Sequence, residues 1–172
     1  KFFHPDPTVK RQSGFLMPSI SDSNTFGTHL SVPYFKVLSD SKDMTFKPRF
    51  YSNSSLLLNT EFRAVTKNSS HIIDTSIKNK VSGKNTENTK THFFSNSKVD
   101  LNNNFFEQSD IEINLEQVSN SNYLKAYNID SSIVKNTSVL NSFITLNGFN
   151  DDLFFQGTIE TFEDTSKIES DK

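Results

Sequence analysis

Carboxylates at alternate positions are the first residues in this sequence whose type and spacing suit chemistry. In Gln108 to Val118 (QSDIEINLEQV), Asp110, Glu112 and Glu116 alternate with Ile111, Ile113 and Leu115. Two carboxylates on one strand face are what glycosidic cleavage uses, one protonating the leaving oxygen while the other works from the opposite side. A strand face that meets water produces the same pattern. That second reading carries more weight, because nothing else catalytic accompanies the pair: there is no GxSxG, P-loop or dinucleotide fingerprint. His4, His29, His71 and His92 are scattered without HExxH or another metal-ligand spacing. The sequence therefore predicts no enzyme, metal or cofactor. A second cluster is basic: Lys10 and Arg11, with Lys47, Arg49 and Arg63. On adjoining strand faces these cations suit an anionic ligand, and the simpler reading pairs them with nearby acids such as Asp43 and Glu61.

These polar residues need strands to position them. Hydrophobic residues are only 33% of the chain, below the usual globular level, yet 17 are Phe, too aromatic for a disordered chain. Such a mixture suits strands with one apolar and one wet face. A formal net charge of −2 gives no electrostatic case for nucleic acid. Cysteine is absent, which excludes disulfides and thiolate sites within this chain. The longest aliphatic run, Leu56 to Leu58, is far short of the ~20 apolar residues of a membrane helix. Membrane β-strands never show such a run, so a β-barrel stays open. The start at Lys1 reads as a cut from a longer protein.

The apolar period is two almost throughout. Met44, Phe46, Pro48 and Phe50 oppose Asp43, Thr45, Lys47 and Arg49; Leu56, Leu58, Phe62 and Ala64 oppose Asn59, Glu61 and Arg63. Phe26, Leu30, Val32 and Tyr34 share a face, and so do Leu153, Phe155 and Ile159. The pattern predicts roughly nine strands, over 14–23, 26–38, 42–52, 55–66, 69–78, 90–101, 105–118, 139–149 and 152–163. Their lengths suit tilted bilayer crossing. The two long connections, Asn79 to Thr89 and Ser119 to Ser138, emerge at one end of a meander, the asymmetry of outer-membrane barrels. Within the second, Asn122 to Asn128 (NYLKAYN) suits a helical turn. The expected fold is all-β, an antiparallel up-and-down meander forming part of a larger transmembrane barrel.

Pro18 in SGFLMPS and Pro33 in SVPYFKV interrupt the first two strands, where each gives up a ladder hydrogen bond. From the residues alone, a weakened seam and a frayed start with a bulge are equal readings.

PDPTVKRQSGFLMPSIS, SVPYFKV, DMTFKPRF and LLLNTEFRAV, followed by THFFSN, DIEINLEQVSNSNYLKAYNID and LNGFNDDLFFQG, resemble the barrel domain of the LptD lipopolysaccharide-assembly family (organic solvent tolerance proteins) in the family's order. Asn and Ser stand at turns where the family favours Gly, as in SNSS at Ser52 to Ser55. The family's periplasmic jelly-roll domain, closing strands and cysteines are not in this sequence. The resemblance implies a linker over residues 1–13 and the N-terminal portion of an outer-membrane barrel over 14–172. It implies lipopolysaccharide insertion into the outer leaflet of a Gram-negative outer membrane, with an LptE-type lipoprotein plug and an LptA-type periplasmic bridge as partners. It makes Pro18 and Pro33 parts of a lateral gate that opens toward membrane lipid. Asp43, Lys47, Arg49, Glu61, Arg63, Glu112 and Glu116 are then expected to face a wet lumen. The rival readings are a general porin, and a soluble carbohydrate-binding β-sandwich whose two facing sheets would bury both sets of aromatics.

Overall fold

A computed structural model describes residues 11–22, 27–80, 89–101 and 104–166. Lys10, Phe26, His4, most of the first long connection and nearly all of the expected linker lie outside these residues. The strands are β1 (Gly14–Phe15), β2 (Ser19–Ser21), β3 (His29–Ser31), β4 (Tyr34–Ser39), β5 (Lys42–Tyr51), β6 (Ser55–Val65), β7 (Ser69–Lys80), β8 (Lys90–Asp100), β9 (Gln108–Val118), β10 (Val139–Asn150) and β11 (Leu153–Asp164). A single helical turn, α1 (Tyr123–Ala126), lies in the long connection between β9 and β10, where the NYLKAYN stretch predicts one.

All strands join one antiparallel sheet in the order β1-β4-β5-β6-β7-β8-β9-β10-β11, with β2 against β3 and β3 against β5. The nine expected strands become eleven because the first two are each split. The described strands make no second, facing sheet, so the β-sandwich is not this fold. Pairing is unshifted along β6 and β7, from Ser55 opposite Lys80 to Val65 opposite Ser70. The sheet is not closed, and its ends are the first strand and β11.

The splits have a common cause. Gly14 and Phe15 oppose Phe35 and Tyr34, whereas Ser19 and Ser31 resume pairing with an offset of one residue. Leu16, Met17 and Pro18 on one strand thus face only Val32 and Pro33 on the other, the count of a β-bulge. Leu16 N–H donates to the Pro33 carbonyl at 2.9 Å, and Val32 N–H donates to the Pro48 carbonyl at 3.3 Å. A strand residue directs its N–H and C=O to the same side, and successive residues alternate sides. Pro33 therefore lacks the donor that would face the first strand, and Pro48 the donor that would face Val32. By the same alternation from Ser19, Pro18 lacks one toward the free edge. The three described prolines form a fault running across three successive strands.

The two faces differ as the alternation requires. Phe50, Ile77, Phe93, Ile144, Leu146, Phe155 and Ile159 are exposed on the apolar face, a continuous surface suited to lipid. The expected seventh strand starts at Gln108 rather than at residue 105, because Phe106 leaves the ladder to lie over Gly148 on that face. A Cβ on Gly148 would stand 2.8 Å from the Phe106 ring. Gly148→Ala is therefore expected to destabilise the protein by about 1–3 kcal/mol. Gly157→Ala, whose Cβ would meet only the Phe155 ring at 3.4 Å, is expected to cost far less. Urea unfolding midpoints of the two variants check this, and equal shifts would refute it.

Candidate functional site

The polar face holds the residues that the sequence marked. Asp43 is buried between two guanidinium groups: Arg11 pairs with it, and Arg63 Nε reaches Oδ1 at 2.8 Å. Arg63 also lies 3.7 Å from Glu61. Ion pairing is thus what Arg11 and Arg63 do here, while Lys47 shares their face opposite Asn59. Farther along, amides and carboxylates interlock. Asn96 donates to Glu112 at 3.0 Å and to Asn114 at 3.2 Å. Asn114 donates to Glu116 Oε1 at 3.0 Å, and the Asn141 backbone N–H donates to Oε2 at 2.9 Å. Glu112 and Glu116 are therefore members of a hydrogen-bond ladder, in which Asn114 and Glu116 are buried, as buried polar groups require.

The connection from Ser119 to Ser138 does not stand away from the sheet. It folds back as a strap over the polar face and buries Tyr123, Leu124, Tyr127, Ile129 and Ile133 against Tyr51, Leu57, Phe94 and Leu140. The apolar core of this protein is consequently on the face that alternation labels polar. Beneath the strap lies a polar network. The His92 ring is hydrogen-bonded through Nε2 to Asp74 at 3.1 Å and through Nδ1 to Ser76 Oγ at 2.6 Å. Ser76 Oγ meets the Tyr123 hydroxyl at 2.7 Å, and Asn59 donates to Asp74 at 2.8 Å. Burial pushes the Tyr123 phenol up to about 12, so it remains neutral and able to donate. Asp, His and Ser in contact resemble a hydrolytic triad, but all three side chains are sealed under the strap, where no substrate reaches Ser76. Their evident role is to fasten Tyr123.

Arg49 fastens the other end of α1. Its Nη1 donates to the Tyr127 carbonyl at 2.7 Å and the Asn128 carbonyl at 3.2 Å, satisfying groups that a helix end leaves without partners. Lys78 lies over the Tyr127 ring at 5.8 Å. Between α1 and the split first hairpin an open cleft of about 540 Å³ remains, lined on the sheet side by Ser19, Ser21, His29, Ser31, Arg49 and Tyr51. The sequence reading placed Arg49 among the polar-face cations. It missed Asp74, Ser76, His92 and Tyr123, which carry no known motif. The available signal was parity: Tyr51, Leu57 and Phe94 are apolar at positions that alternate with polar ones.

No family model matches the chain. Among curated proteins it is similar to the LPS-assembly protein LptD of Legionella pneumophila (strain Paris), with 28% identity over 76% of this chain and 17% of that protein. The LPS-assembly protein LptD of Shewanella oneidensis is 42% identical over 36% of this chain and 9% of its own length. That of Aromatoleum aromaticum is 46% identical over 34% of this chain and 7% of its own. The resemblance read from the motifs is borne out by these relatives. The chain spans 17% of the length of the Legionella protein.

The buried network predicts an ordering of variants. Tyr123→Phe removes one hydroxyl and is expected to cost about 1 kcal/mol. Asp74→Ala leaves both His92 and Asn59 without an acceptor and is expected to cost about 3 kcal/mol. It is also expected to open residues 119–138 to protease. Denaturant unfolding and limited proteolysis of the protein check both, and a reversed order would refute the assignment of Asp74 as the anchor.

Proposed function

We propose that this chain is the N-terminal part of an outer-membrane barrel that inserts lipopolysaccharide into the outer leaflet, with the lateral exit at its first strands. The names of its relatives, LPS-assembly proteins, support the substrate. The residue chemistry supports the membrane setting, with an apolar outward face and a hydrogen-bonded polar face suited to lipid and lumen respectively. In this reading the acyl chains leave at the free edge of the first strand while the sugars travel along the lumen. An LptE-type lipoprotein plugs that lumen, and an LptA-type bridge delivers substrate through a periplasmic domain.

The observation that carries the gate is the fault through Pro18, Pro33 and Pro48. Each missing N–H removes about the 0.5–1.5 kcal/mol of a net hydrogen bond: Pro18 weakens pairing at the free edge, where parting is needed, while Pro33 loosens the first hairpin and Pro48 the ladder that holds it to β5. A general porin has no use for a weak seam, since its cargo never leaves sideways.

The test places a photo-crosslinking residue at Pro18 or Pro33 of the full-length parent in living cells. Adducts with lipopolysaccharide that increase when export is blocked downstream are the expected result. Efficient incorporation without adducts at either position, while other positions along the seam also stay silent, would overturn the gate and favour the porin.

A further inference from the structure

We infer that Arg11 and Asp43 form an ionic latch that holds the first strand closed on the sheet. The latch rests on the lateral-exit reading above and adds to it the positioning residues that keep the exit shut. Very little backbone holds this strand. β1 pairs with β4 only at Gly14 with Phe35 and Phe15 with Tyr34, followed by the Leu16 N–H bond to Pro33. Among the described residues no ladder pairing precedes Gly14, and side chains take over there. Ser13 Oγ accepts from the Val37 N–H at 2.8 Å. Arg11 reaches across the width of β4 to pair with Asp43 on β5. On the way its guanidinium lies 5.5 Å from the centre of the Phe35 ring, a second favourable contact for the same cation.

The carboxylate is shared between a weak part of the sheet and a strong one. Asp43 stands opposite Arg63 on β6, and each of its oxygens takes one guanidinium, Oδ2 from Arg11 and Oδ1 from Arg63. Exposed ion pairs contribute little as a rule. The Asp43 side chain, however, is only 6% exposed, and hydrogen bonds to a charged acceptor are stronger than neutral ones. The two cations differ in what they hold. Arg63 belongs to β6, which is laddered on both sides, and it also lies near Glu61. Arg11 belongs to the free edge alone. Losing Arg11 leaves Asp43 with Arg63 as its counter-ion, so no buried charge is stranded. The sheet from β5 onward then keeps its pairing while the first strand loses its hold. That asymmetry lets the edge be released without cost to the rest. Because Arg11 is half-exposed, dissolved salt reaches the pair and weakens it.

The test uses the full-length parent with its partner proteins, as wild type and as Arg11→Gln, and reads amide hydrogen exchange by segment. In Arg11→Gln, exchange over residues 12–21 is expected to rise ~10-fold or more, as loss of a hydrogen bond to a charged group implies. Exchange over residues 69–80 is expected to stay unchanged, which also shows that the variant is folded. Raising salt from about 0.1 to 1 M is expected to speed the first segment in the wild type and to leave it unaltered in Arg11→Gln. Wild-type exchange over residues 12–21 in Arg11→Gln would overturn the latch, and so would an equal response of both proteins to salt. A photo-crosslinking residue at Pro18 separates this from the transport reading. More lipopolysaccharide adducts in Arg11→Gln than in the wild type would support latch and exit together. Adducts at Pro18 with no change in exchange would overturn the latch and leave the exit standing. Faster exchange with Pro18 silent in both proteins would support the latch and overturn the exit.

Discussion

A single sheet that turns its apolar residues outward must find its dry core on the other side. This constraint governs the protein. Phe50, Ile144 and Ile159 are exposed on the apolar face, so they contribute little to stability within this sheet. The polar face therefore does the work of an interior. Part of it is satisfied by cross-strand amide–carboxylate bonds such as Asn96 to Glu112 and Asn147 to Asp110. The rest is roofed by the strap, which carries its own Tyr, Leu and Ile residues to Leu57 and Phe94. Those two strand residues break the polar alternation because the roof needs something apolar to land on.

The roof imposes a second condition. Asp74, Ser76 and His92 lie under it, and buried polar groups are costly unless every one finds a partner. The Tyr123 hydroxyl completes the set from above, so the strap both creates the burial and satisfies it. A strap residue without that hydroxyl would bury the same strands with Ser76 Oγ one partner short. Arg49 performs the converse service, covering the carbonyls of Tyr127 and Asn128 that the short helix leaves open. The N-terminal end of α1 carries no side-chain cap bond, and a single turn is too short to be stable by itself. Contact with the sheet is what makes it helical.

The strands were legible because their signal is local: one parity, repeated over each segment, with turns between. The meander and the helical turn at Tyr123–Ala126 were legible for the same reason. The pairing of Arg63 with Asp43 and Glu61 followed from adjacency on neighbouring strands. The strap's landing was not legible, since Tyr123 and Ser76 are joined by a fold-back that no periodicity encodes. Leu57 and Phe94 sat in the sequence as minor violations of alternation, and their meaning depends on knowing what covers them. The split of the first two strands was visible at Pro18 and Pro33. Pro48 escaped notice because it falls on the apolar parity, where its side chain fits; only the direction of its missing N–H reveals the break.

Strength is consequently distributed unevenly along the sheet. From β6 to β8 the ladders run without a shift, and the strap adds buried contacts on one side. The first hairpin has a bulge, short pairings and missing donors, and its Phe15, Met17 and Ile20 side chains are largely exposed. Local opening free energies follow such differences in burial and hydrogen bonding, so the hairpin opens at lower cost than the strands under the strap. The boundary between the two regimes falls on β5, where Pro48 weakens one side of the strand and Arg49 and Tyr51 tie it to the strap. A sheet built this way can part at its edge without disturbing the network around His92. The three prolines are thus compatible with a stable protein because the strap concentrates stability where the prolines are not.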